Sequence, residues 1–228
     1  DALILSIYLN DTEDTKNWKE LTVWRERMMP RVPGRVTAAL MRRLRTVAWI
    51  YLRLEQARCR REFANYYAFL YRDDYSGWLR FVQALHTFRE ACDKSGCRLL
   101  AVVWPNLTEL DPKRYPFHFA HEKIGAALKK EGIETLDLRP VFLGRNPVRM
   151  QGMPGVDGHP TEIAYRMGAE TMFGAMLANG ILPQTHVPKN NPNAIRPGWE
   201  RIFVRMTHPE SFTASNTVQA AVLKADDR

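Results

Sequence analysis

Two apolar runs of strand length constrain this chain more than any other feature. Ala2-Leu-Ile-Leu-Ser-Ile-Tyr-Leu9 and Leu99-Leu-Ala-Val-Val-Trp104 are near-continuously apolar, without the polar–apolar alternation of a half-solvated strand. A strand covered on both faces reads this way, and such strands belong to parallel sheets. Ile133-Glu-Thr-Leu-Asp-Leu138 is expected to be a third, shorter strand. The intervening segments carry helical periodicity. Pro33 to Tyr71 places Leu40, Leu44, Val47, Tyr51 and Leu54 three or four residues apart, and Gly77 to Lys94 repeats the pattern until Gly96 stops it. Further helices are expected from His118 to Lys130, closed by Gly132, and from Pro160 to Ala178. Helices alternating with buried strands mean parallel strands joined by crossovers, hence an α/β layered fold.

That series defines one domain over residues 1–178. After Asn179, Pro183, Pro188, Pro192 and Pro197 sit among Asn and Lys, a composition of extended linkers. Trp199 to Arg205 reads as a short strand, and a loosely ordered tail is expected beyond His208. The net charge of +8 suits an acidic surface such as phospholipid, nucleic acid or polyanionic saccharide, and carries no information about fold. No run of eighteen apolar residues is present, and no signal-peptide pattern opens the chain. Cys59, Cys92 and Cys97 are odd in number and lack CxxC spacing, so a Cys92–Cys97 disulfide and the redox compartment both stay open.

Sites in open parallel sheets form beyond the carboxyl ends of the strands. Asn10 follows the first apolar run, Asn106 the second, and Asp157 with His159 stands in the Gly- and Pro-rich loop after the third. A histidine is a general base near neutrality. With Pro160 at the first helical position, His159 is expected at the helix start. Asp157 can accept the second imidazole N–H and fix its tautomer, and the Asn10 amide can donate to an oxyanion. Each pair also has an ordinary reading, since Asp-Gly and Asn-Asp are frequent turn sequences. His118 and His121, three apart on a helix without an acidic partner pattern, are not expected to bind metal. Trp18, Trp24, Trp49 and Trp78 are expected to pack in the core or between helices.

With these residues in place, the chain resembles the later two-thirds of an SGNH (GDSL-type) hydrolase. That family's third sequence block has an Asn after a buried strand, matched by Tyr8-Leu9-Asn10-Asp11. Its last block has an Asp and a His before the final helix, matched by Asp157-Gly158-His159-Pro160. The usual last block is Asp-x-x-His; this chain has the shorter Asp-x-His that some members use. The resemblance implies a flavodoxin-like three-layer α/β/α sandwich and a serine-type ester hydrolase, with His159 as base, Asp157 as its orienting acid and Asn10 in the oxyanion hole. It implies no cofactor and no metal. The substrate would be a small-molecule or saccharide ester; a sugar hydroxyl as acceptor would make the enzyme an O-acyltransferase. The family's first block, with its serine, has no match. Ser6, Ser76, Ser95, Ser211 and Ser215 lack the context of a nucleophile, so the serine is expected on a segment preceding Asp1, and these residues alone are expected to show no esterase turnover.

The Pro33–Tyr71 helix matches no block of that family. Nine arginines stand between Arg31 and Arg61 with Glu55 as the only acid. Three readings apply: an amphipathic helix on an anionic membrane surface, a polyanion clamp, or a solvated lid on the enzyme. The first two would allow a non-catalytic binding module; nucleic acid is not the favoured partner. The compartment and the oligomeric state are left unassigned.

Overall fold

A computed structural model describes residues 1–153 and 157–183. The expected strand at Trp199–Arg205 and the tail lie outside the described residues. The chain opens with β1 (Ala2–Ile7), a 3-10 turn (Thr15–Asn17) and four helices: α1 (Trp18–Met28), α2 (Arg35–Arg43), α3 (Arg45–Leu70) and α4 (Ser76–Ser95). It continues through β2 (Arg98–Val103), α5 (His118–Lys130), β3 (Glu134–Asp137), α6 (Arg139–Phe142) and α7 (Pro147–Met150). A hairpin of β4 (Gln151–Met153) and β5 (Asp157–Pro160) then leads into α8 (Glu162–Ala178). The protein is thus mixed α/β, mostly helical, around a small parallel sheet of order β1-β2-β3. Ala2 lies opposite Arg98 and Ile7 opposite Val103; Leu100 lies opposite Glu134 and Val103 opposite Asp137.

β2 organises the core through its two-residue period. Leu99, Ala101 and Val103 join Ile7, Leu70, Leu85 and Ile124 in one buried cluster. Leu100, Val102 and Trp104 join Leu138, Phe142, Met150 and Ala164 in the other. α8 approaches closely at Gly168, where an added Cβ would stand 2.2 Å from Trp104 Cη2. Leu99 through Val103 are all buried, as expected for a strand covered on both faces.

β1 corrects that expectation for the first run. It has a single strand neighbour among the described residues, and Leu3 and Ile4 remain 38% and 40% exposed. Its apolar character therefore exceeds what its one paired edge covers.

The continuous helix expected from Pro33 to Tyr71 is two helices, broken at Leu44, whose φ of −124° and ψ of 104° are extended. No proline or glycine marks the break. From Thr22 to Asn65 no residue is buried, whereas Tyr66, Tyr67, Phe69 and Leu70 at the end of α3 enter the core. Trp78 is buried and Trp24 stacks on Phe69 at 5.5 Å, as expected, but Trp18 at the start of α1 and Trp49 in α3 are exposed.

The start of α8 is a further correction. Pro160 is not its first residue but the last of β5, opposite Gln151. Thr161 is the N-cap: its hydroxyl accepts from Ala164 N–H at 3.3 Å. His159 accordingly sits in a strand rather than at a helix start.

Candidate active site

Three segments meet beyond the carboxyl ends of the parallel strands. The first follows β1. Asp11 N–H donates to Tyr8 C=O at 3.0 Å, and Tyr8 N–H donates to Asp11 Oδ2 at 2.8 Å. Asp11, not Asn10, therefore closes the turn with its side chain, and Asn10 is exposed. Burial, with Glu13 nearby, raises the Asp11 carboxyl despite the bond from Tyr8 N–H. The segment is anchored on its inner side by Tyr71, whose hydroxyl donates to Leu9 C=O at 2.8 Å.

The second segment follows β2. Asn106 Oδ1 accepts from Thr108 N–H at 3.0 Å, its Nδ2 donates to Tyr67 Oη at 3.2 Å, and its N–H donates to Tyr115 Oη at 2.9 Å. Asn106 builds this loop and ties it to α3, an occupation that leaves its amide little freedom to serve a ligand. Burial pushes the Tyr67 hydroxyl up to about 12.

The third is the β4–β5 hairpin. Gln151 Nε2 donates to Leu107 C=O at 2.8 Å and to Pro147 C=O at 3.0 Å, fastening the hairpin to the loop after β2. Gly158 lies against the same loop, since a Cβ there would stand 3.3 Å from Thr108 Cγ2. His159, next along the strand, is exposed. Asp157 opens β5 opposite Met153, but its side chain lies outside the described residues.

Aromatic contacts join the first segment to the residue after β2 and to α8. Tyr8 stacks on Trp104 at 5.7 Å, and Trp104 meets Tyr165 of α8 edge-on at 5.7 Å. Burial, with the Tyr165 side chain adding, drives the Tyr8 hydroxyl far above its ordinary range. The structure thus brings the segments of Asn10, Asn106 and His159 to one edge of the sheet. A cleft of about 490 Å³ opens elsewhere, between α1 and α3, lined by Val23, Glu26, Arg27, Arg31, Arg58 and Glu62.

The described serines are all engaged. Ser6 accepts from Trp104 Nε1 at 2.9 Å, Ser76 donates to Asp14 Oδ2 at 2.7 Å, and Ser95 donates to Ala91 C=O at 2.9 Å. Ser211 and Ser215 lie outside the described residues.

One polar relay at the same edge escaped the sequence reading. His121 Nδ1 lies 3.0 Å from Asp137 Oδ1, close but poorly aligned for a hydrogen bond, and its Nε2 lies 3.1 Å from Tyr115 Oη. Burial would raise the Asp137 carboxyl; His121, Arg139 N–H and the Arg139 guanidinium outweigh it and hold the group low. The neighbouring His118 ring instead takes the Arg139 guanidinium at 2.9 Å. The available signal was position: His121 shares the buried stripe of α5 with Ala120, Ile124 and Leu128. A histidine on such a stripe needs a polar partner, and the carboxyl end of β3 supplies Asp137.

No protein-family model, curated protein or solved structure matches this chain. The functional reading rests on the arrangement itself.

Proposed function

We propose that this chain supplies the base and oxyanion side of an SGNH-type serine ester hydrolase whose sheet belongs to a flavodoxin-like three-layer α/β/α sandwich. The observation that carries the reading is the convergence of the Asn10 turn, the loop after β2 and the His159 strand beyond the carboxyl ends of parallel strands. Separate segments reaching one edge is how such sheets assemble chemistry.

In this mechanism a serine Oγ attacks the ester carbonyl while His159 takes its proton. Asn10 Nδ2, with backbone N–H groups, holds the tetrahedral oxyanion. Collapse breaks the bond to the alcohol oxygen, which leaves with the proton from His159. Water then attacks the acyl-enzyme by the same base and returns the serine. Asp157 orients the imidazole and stabilises its charged form. Ser6, Ser76 and Ser95 are committed to structural bonds, so none of these three is assigned as the nucleophile.

The test is hydrolysis of a small acetyl ester by the full-length protein, together with labelling by a fluorophosphonate that reacts only with an activated serine. His159→Ala is expected to lower turnover by about a thousandfold or more and to abolish labelling. Asn10→Ala is expected to cost about a hundredfold, chiefly in kcat. Unchanged hydrolysis in His159→Ala overturns the assignment.

A further inference from the structure

We propose that α2 and the first half of α3 form a docking surface for an anionic lipid bilayer. This inference is independent of the ester-hydrolase reading.

Charge is the first observation. The 31 residues from Arg31 to Arg61 hold nine arginines and one acid, so they carry the whole net charge of +8; the other 197 residues hold 24 basic and 24 acidic side chains. The single acid is used internally. Glu55 accepts from the Arg58 guanidinium at 2.8 Å and from Arg31 N–H at 2.9 Å. The other eight arginines are exposed.

Apolar exposure is the second. Val36, Leu40 and Leu44 recur every fourth residue and are 74%, 43% and 52% exposed. Trp49, Leu52 and Leu54 of α3 are each more than half exposed. Arg53 lies over the Trp49 ring at 5.5 Å, placing a cation and an apolar plane side by side. α3 buries none of its residues before Tyr66, so this arm has no core of its own. Helices draw most of their stability from packing an apolar face, and the partner that covers this one is not another described element.

The combination selects the partner. Guanidinium groups pair with phosphate in a bidentate fork, which suits both lipid headgroups and nucleic acid. A nucleic-acid backbone, however, gives the large aliphatic side chains nowhere to go, whereas the headgroup–acyl boundary accepts them. A second copy is disfavoured because two arms of charge +8 would face each other. No described helix is long and apolar enough to cross a membrane, so the engagement lies in the interface plane.

The experiment is co-sedimentation of the full chain with phosphatidylcholine vesicles made with and without one third phosphatidylglycerol, with tryptophan emission recorded in parallel. Binding is expected only to the anionic vesicles, with a blue shift that is quenched by brominated acyl chains and disappears in Trp49→Phe. The triple variant Arg42→Glu, Arg43→Glu, Arg45→Glu is expected to weaken binding at least a hundredfold, at about a factor of five per neutralised charge. Its circular dichroism is expected to be unchanged, because all three side chains are exposed. Equal binding to neutral vesicles, or no binding to either, overturns the proposal. So does a duplex DNA that binds as tightly without moving Trp49 emission, or a dimer in sedimentation equilibrium that buries Trp49 without lipid.

Discussion

His86 stands on the exposed side of α4 between two carboxylates, Glu131 at 2.9 Å and Glu90 at 3.1 Å. The hydrogen bond and charge of Glu131, with Glu90 adding, raise its pKa. The protonated ring is therefore better accommodated in the folded protein than in the unfolded chain. The stability this contributes is fully present below the unfolded value of about 6.5 and is lost as pH rises through the higher folded value. His86→Gln is expected to lower the melting temperature near pH 5 and to leave it unchanged near pH 9; an equal loss at both would show that the ring acts by packing. Asp14 has the opposite sign. Ser76 Oγ–H, Lys16 N–H and Arg80 bond its buried carboxylate and hold its pKa down, so its contribution is lost only as pH falls through that lowered value. The Cys97 thiol is lowered by its Cys92 and Ser95 neighbours, while the same Cys97 neighbour and burial raise the Cys92 thiol.

Element packing turns on one glycine in the first turn of α4. A Cβ on Gly77 would stand 1.9 Å from the Thr12 carbonyl oxygen and 2.5 Å from Tyr75 Cε1. The loop that carries Asn10 is thus pressed directly onto the helix backbone. In an open helix Gly→Ala gains about 1 kcal/mol. Here the overlap is expected to reverse the sign, and Gly77→Ala should lose about 2–3 kcal/mol in urea unfolding. A gain would mean that loop and helix are apart. Neither this contact nor the His121–Asp137 pair could be read from sequence, because both depend on which segments meet. Elements set by local periodicity were legible: β2 over its apolar run, α4 up to Gly96 with its φ of 65°, α5 and most of α8. The departures occur where a local signal met a competitor. Pro160 looked like a helix start but Thr161 capped α8; Leu44 broke a helix that apolar spacing alone would continue. Of the candidate site, the position of Asn10 after β1 was legible; the hairpin that carries His159 was not, because Gln151 and Gly158 hold it against the loop after β2 and it belongs to a separate sheet. The tyrosines that anchor the Asn10 segment were not legible either, because Tyr8, Tyr71 and Tyr165 are distant in sequence and are brought together only by the fold.

For the whole molecule, the parallel sheet joins regions of very different sequence separation. β2 and β3 pair with partners such as Leu100 and Glu134, thirty-four positions apart, across the single helix α5. β1 and β2 pair Ala2 with Arg98, ninety-six positions apart, across four helices that include the charged arm. Loop entropy grows only slowly with length, about 0.6 kcal/mol per doubling, so the long crossover costs little at equilibrium. Its cost falls on kinetics, because distant pairings must be closed before their contacts repay them. β1 is expected to dock last. Pulsed hydrogen exchange during refolding should protect the amides of β2 and β3 before those of β1, and simultaneous protection would refute this order. Until it docks, the apolar run from Ala2 to Leu9 is an unpaired strand in solution. Recovery of native protein should therefore fall as refolding concentration rises, a competition between intramolecular closure and bimolecular capture decided at the first nine residues of the chain.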